Sequence, residues 1–333
     1  MSVLEILKTY WHYDGFRPLQ AEIIQSVLDG KDTLALLPTG GGKSLCFQVP
    51  TMVMAHPDSA DEEQPALCLV ITPLIALMKD QVENLRRRGI HATAIYTGMS
   101  HDQQHVALDN CQFGPYHFLY VSPERLESED FRKRLAQLPI RLIAIDEAHC
   151  ICQWGYDFRP SYLQIAAVRQ LLPDVPVLAL TATATPDVVK DITERLSLTP
   201  SAEWNIFRQS FARKNLQYIV RYCEDTQDTT LPAHKLYQLL HILNRVQGSA
   251  IVYVRNRKRA QELAEYINTQ LSTTATEQGN TVATFYHAGL SNSERSIRQA
   301  EWKQDKTRIM VATNAFGMGI DKPEVRLVIH YDL

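Results

Sequence analysis

Thr33-Leu34-Ala35-Leu36-Leu37-Pro38-Thr39-Gly40-Gly41-Gly42-Lys43-Ser44 is the stretch on which the reading of this chain turns. Residues 33–37 form an apolar, partly β-branched run that reads as a buried strand, and residues 45–50 suit the first turns of a helix. Between them, three successive glycines let backbone N–H groups turn inward without Cβ clashes, and the helix N-terminus adds its positive end. Strand, glycine-rich loop, Lys-Ser and helix together wrap a polyphosphate. In that reading Thr39, Gly40, Gly41, Gly42 and Lys43 cradle the phosphates, and the Ser44 hydroxyl ligates Mg²⁺. Leu37 stands where the full consensus has its leading glycine. The strict pattern is therefore not met, and the rest of the chain has to decide.

Upstream, Tyr13-Asp14-Gly15-Phe16-Arg17-Pro18-Leu19-Gln20 leads into an amphipathic helix over residues 21–28, which Pro18 is suited to start. The Gln20 amide carries a donor and an acceptor that match adenine N6 and N7, while Tyr13 and Arg17 offer flat faces for a base. A capped helix with a surface glutamine is the plain alternative.

Downstream, residues 142–145 deliver Asp146-Glu147-Ala148-His149 at the end of a hydrophobic strand, where open α/β sheets bind ligands. Asp146 can hold Mg²⁺, and Glu147 can orient and deprotonate the water that attacks a γ-phosphate. With Lys43, these two carboxylates are the expected catalytic groups. The next residues, from Cys150 to Tyr162, include Trp154, Tyr156, Phe158, Arg159 and Tyr162 in a stretch broken by Gly155 and Pro160. Such a loop can stack on bases and pair with phosphates, or fold in as a hydrophobic plug. A second α/β pattern begins beyond residues 208–215, with strand-like runs at 216–220, 249–254, 281–286, 308–312 and 325–330.

At 333 residues the chain is long enough for two domains. Its net charge of −3 divides into −8 for residues 1–205 and +5 for the remainder, which alone decides nothing about a polyanionic partner. No apolar run has the roughly 18 residues of a membrane helix. The six cysteines show no C-x-x-C pair, so they read as reduced and the expected location is cytoplasmic.

Taken together, these residues resemble the RecQ family of DNA helicases, within helicase superfamily 2, almost end to end. Phe16–Gln20 is similar to that family's adenine-recognition motif. The 39–44 segment is similar to its phosphate loop, absent leading glycine included. Residues 146–160 resemble its Asp-Glu-Ala-His motif and aromatic-rich loop. The 181–183, 249–255, 287–290 and 312–321 segments resemble its remaining motifs. The resemblance implies two RecA-like P-loop α/β lobes with mainly parallel sheets, residues 1–206 and 207–333. It also implies ATP and Mg²⁺ as cofactors, and single-stranded or partly duplex DNA as partner, touched by Trp154, Phe158, Arg159 and Thr313. The implied activity is 3′→5′ translocation and unwinding in recombination and repair, in a bacterium at the nucleoid. In the family an arginine-bearing helix follows the position of Leu333. The second lobe is therefore expected to be C-terminally incomplete and turnover slow. Two other readings stay open: an RNA helicase of the same superfamily, and a nucleotide-gated single-strand binding module with little turnover.

Overall fold

The structure, a computed structural model, describes residues 1–38, 40–57, 65–152, 159–210, 215–223, 233–271, 281–317 and 322–332. The chain divides into two compact units, Met1–Leu216 and Gln217–Leu333.

The first unit is built on seven strands: β1 (Thr33–Leu36), β2 (Leu67–Ile71), β3 (Ala92–Ile95), β4 (Phe118–Val121), β5 (Ile140–Ile145), β6 (Val177–Thr181) and β7 (Asn205–Arg208). They pair in the order β3-β4-β2-β5-β6-β1-β7, every pairing parallel. Helices α1 (Val3–Ile6), α2 (Gln20–Leu28), α3 (Leu45–Ala55), α4 (Ile75–Arg87), α5 (His101–Phe113), α6 (Glu129–Leu135), α7 (Ile165–Leu171) and α8 (Pro186–Leu196) accompany it. Parallel strands covered on both faces read as continuous apolar runs, and β2 is Leu-Cys-Leu-Val-Ile with every residue buried. Successive side chains serve opposite faces. Leu34, Leu36, Leu69 and Ile71 join one core, and Ala35, Leu37, Cys68 and Val70 the other.

Because all the strands run the same way, the loops after β1, β2, β5 and β6 open on one edge of the sheet. Strand β6 lies between β1 and β5, with Leu36 paired to Thr181 and Ile145 to Ala179. That order brings the glycine loop and the Asp146–His149 segment together. A bidentate ion pair secures the opposite edge. Arg169 of α7 donates to both Asp32 carboxylate oxygens, at 3.0 and 2.7 Å, and Asp32 also accepts the Val177 N–H at 2.9 Å.

The second unit contains α9 (Ala233–Arg245), β8 (Ser249–Tyr253), α10 (Arg257–Leu271), β9 (Ala283–Tyr286), α11 (Asn292–Lys303), β10 (Ile309–Ala312) and β11 (Val325–His330). Its sheet is again parallel, in the order β11-β8-β10-β9. No helix among the described residues is long and apolar enough to cross a membrane.

Three local expectations change. Helix α2 starts at Gln20, after Leu19 in the left-handed region (φ 68°), so Pro18 precedes the helix instead of opening it. The Arg17 N–H donates to Gln20 Oε1 at 2.9 Å, and that turn sets the helix start. Residues 216–220 form no strand: their backbone is in no sheet, and Tyr218, Ile219 and Val220 are exposed. The expected boundary after residue 206 falls inside β7, whose pairing with β1 keeps the chain in the first unit until Leu216.

Candidate active site

The loop after β1 is anchored from α2. Gln20, 1% exposed, donates from Nε2 to the carbonyls of Gly42 at 3.0 Å and Gly41 at 3.3 Å. Arg17 donates to the carbonyl of Gly40. Gly42 sits at φ +79°, and any side chain there would collide with the Gln20 amide, so glycine is required twice over. Carbonyls held on the α2 side leave the amides facing the other way. Among the described residues, the N–H groups of Gly42, Lys43 and Ser44 have no protein acceptor. Ser44 is the N-cap of α3 and makes no side-chain cap bond. Tyr13 is half exposed. Thr39 lies outside the described residues.

The loop after β5 faces this one. Lys43 Nζ is 4.0 Å from Glu147 Oε1, a loose ion pair of partly buried groups. Glu147 Oε2 lies 3.4 Å from His149 Nδ1, which is in turn 2.9 Å from Thr181 Oγ1 on the intervening strand. Asp146 is buried. Its Oδ2 accepts from the Thr72 hydroxyl at 3.4 Å, and its Oδ1 accepts the Glu147 N–H at 3.0 Å. Desolvation, and then the negative charge of Glu147, push the Asp146 carboxyl up to about 6, against the pull of Lys43. Glu147 itself adopts a left-handed backbone, φ 49° and ψ 46°. For a residue with a Cβ this costs on the order of 1–3 kcal/mol, and such strain clusters at functional sites.

A divalent cation and a polyphosphate fit this donor set. A buried carboxylate that resists ionisation gains from a cation, and the unpaired amides at the start of α3 suit an anion. Among the described residues no group of three or more His, Cys, Asp or Glu side chains could hold a metal. A cation here would therefore complete its coordination with water and phosphate oxygens, as Mg²⁺ commonly does.

The structure thus brings Arg17, Gln20, Gly40–Gly42, Lys43, Ser44, Asp146 and Glu147 to one edge of the first unit. The expected nucleic-acid contacts fall partly in the first unit, partly in the second and partly outside the described residues. Arg159 is partly buried and donates to the Pro73 carbonyl at 3.3 Å. Thr313 follows β10 in the second unit, its N–H donated to Tyr286 O at 3.1 Å. Trp154 and Phe158 lie outside the described residues. Tyr162, grouped by sequence with the stacking aromatics, is fully buried and donates its hydroxyl to the Asp146 carbonyl at 2.9 Å. Sequence reasoning does not assign Thr72 or Tyr162 to this site, and it places His149 in the motif without its bond to Thr181. Their partners are 74, 16 and 32 positions away, and no local pattern signals those contacts.

The known proteins that this chain resembles are helicases. The family described as DEAD/DEAH box helicase matches residues 17–192, and the helicase conserved C-terminal domain matches residues 233–333. The chain is 38% identical over 330 residues to the probable ATP-dependent DNA helicase RecS of Bacillus subtilis, covering 99% of this chain and 61% of that protein. It is 35% identical over 332 residues to the ATP-dependent DNA helicase RecQ of Pasteurella multocida, covering 100% and 48%. The chain thus spans about half to three-fifths of the length of these relatives. Among solved structures, Mycobacterium smegmatis helicase Lhr, bound to ssDNA and AMP-PNP, superposes with a TM-score of 0.71 at 20% identity, covering 99% of this chain and 43% of that one. That likeness supports two RecA-like lobes. The chain belongs to the DEAD/DEAH box helicase family, and it is similar to RecQ-type DNA helicases along its whole length.

Proposed function

We propose that this chain is the ATP-driven motor of a RecQ-type DNA helicase, moving 3′→5′ along single-stranded DNA and opening duplexes in recombination and repair. The observation that carries the reading is the meeting of Lys43 with Glu147, beside a buried Asp146, at the mouth of an amide-lined loop. In this reading the Gln20 amide and the Arg17 and Tyr13 side chains receive adenine. The loop amides, Thr39 and Lys43 receive the phosphates, and Ser44 and Asp146 hold Mg²⁺. When bound, the cation neutralises charge on the transferred phosphoryl group. Glu147 accepts the proton of the attacking water, and Lys43 offsets phosphate charge in the transition state. Trp154, Phe158, Arg159 and Thr313 contact the DNA strand. Six free cysteines fit a reducing compartment, the cytoplasm and, in a bacterium, the nucleoid.

The test is ATP hydrolysis by the chain alone, with single-stranded DNA, and with RNA of the same sequence. Stimulation by DNA above RNA is expected. Equal stimulation by RNA favours an RNA helicase, and nucleotide binding without any turnover favours a nucleotide-gated binding module. Either result overturns the proposal.

A further inference from the structure

We propose that Tyr162 is a positioning residue: its phenol holds the peptide unit that joins Asp146 to Glu147, and so sets the aim of both carboxylates. The inference rests on the reading of Asp146 and Glu147 as the hydrolytic pair. That peptide is gripped at both ends. Its carbonyl accepts the Tyr162 O–H at 2.9 Å, and its N–H is donated to Asp146 Oδ1 at 3.0 Å. Just upstream, the Asp146 N–H is donated to Ile71 O at 2.9 Å, which fixes the end of β5 against β2. Rotation of the one peptide would swing Asp146 and Glu147 together, because their Cα atoms flank it.

Glu147 needs such a grip. Its left-handed backbone persists only where the surroundings over-determine it. Tyr162 is well suited to supply that constraint. Its ring is fully buried in the core that also contains Ile145, Ala148 and Ile151, so the hydroxyl cannot drift. A helical turn, Pro160–Gln164, places it there, and the same turn begins beside Arg159, whose guanidinium reaches Pro73 O. The ring accounts for packing, and the hydroxyl alone accounts for the contact to Asp146.

Tyr162→Phe separates the two, keeping the ring and deleting the donor. Three quantities should be compared with the parent chain: the unfolding temperature, the affinity for a fluorescent non-hydrolysable ATP analogue with Mg²⁺, and kcat and KM for ATP hydrolysis. We expect unfolding temperature, analogue affinity and KM close to those of the parent, with kcat lower by on the order of 10²-fold, as small misplacements of catalytic groups produce. Glu147→Gln runs alongside. If that variant loses hydrolysis while Tyr162→Phe turns over within about twofold of the parent, the positioning role is refuted and the carboxylate reading stands. Undiminished turnover in Glu147→Gln refutes the carboxylate reading, and the inference falls with it. A fall in stability and affinity alongside kcat, or a variant that does not fold, assigns Tyr162 a structural role only.

Discussion

Replacing Asp146 by Asn should stabilise the nucleotide-free first unit while removing the carboxylate proposed to hold Mg²⁺. The Asp146 carboxyl titrates near 6 when folded, against 3.8 for the ordinary group. The folded state therefore binds this proton more tightly than the unfolded chain does. The resulting stabilisation is complete below about pH 3.8 and is lost as the pH rises through about 6. At about pH 7.5 the ionised carboxylate is a liability of roughly two pKa units, or about 3 kcal/mol. Asparagine keeps the shape and can still accept the Glu147 N–H, and its amide can donate to Thr72. One amide hydrogen is left to find a partner, so a net gain of about 1–3 kcal/mol is expected. For a unit of this size that raises the melting temperature by roughly 3–10 °C. The assay is thermal unfolding of parent and Asp146→Asn, without nucleotide, at about pH 7.5 and about pH 4. Near pH 4 the difference should shrink below about 1 kcal/mol, because the parent's carboxyl is then protonated. A variant no more stable than the parent at the higher pH would refute the reasoning. So would a gain that is equal at both pH values.

Lys43→Ala should weaken ATP binding, whereas Glu147→Gln should keep nucleotide affinity and lose hydrolysis; equal loss of affinity in both would sink that division of roles. Gln20→Ala should narrow the preference for ATP over GTP by about 0.5–1.5 kcal/mol, the net worth of an exchanged hydrogen bond, and an unchanged ratio of the two affinities rules out adenine recognition by this amide. Asp32→Ala should destabilise the first unit by about 3–5 kcal/mol, because it strands the buried Arg169 guanidinium. Urea unfolding reads this directly, and a loss under about 1 kcal/mol would mean that the Val175 carbonyl suffices as partner.

The sheets were legible because parallel strands buried on both faces leave apolar runs that no other element explains, as in residues 67–71. The placement of the glycine loop and of the Asp146–Glu147 pair was legible because each directly follows an apolar, strand-like run. Residues 216–220 show the limit of such reading. They have strand composition, but a strand also needs a neighbour to complete its hydrogen bonds, and composition does not supply one. Tyr162 shows another limit. Sequence reveals that an aromatic is present, whereas the direction it points depends on the turn at Pro160–Gln164. Arg159 likewise has the chemistry of a phosphate contact, yet its guanidinium reaches a protein carbonyl.

The grip of Arg17 and Gln20 on three successive carbonyls of the glycine loop has a kinetic side. A run of glycines is ordinarily the most entropically expensive segment to order around a ligand. Here the carbonyls of Gly40, Gly41 and Gly42 are already held by protein donors, which would lower the ordering left for a phosphate tail to impose. The base meets the reverse situation. If Gln20 receives the base as proposed, the base must displace bonds already made to Gly41 and Gly42, and its recognition would be an exchange of partners. Encounter would then be governed by the tail and commitment by the base. Nucleotides with the wrong base would enter as fast as the right one and be distinguished by how soon they leave.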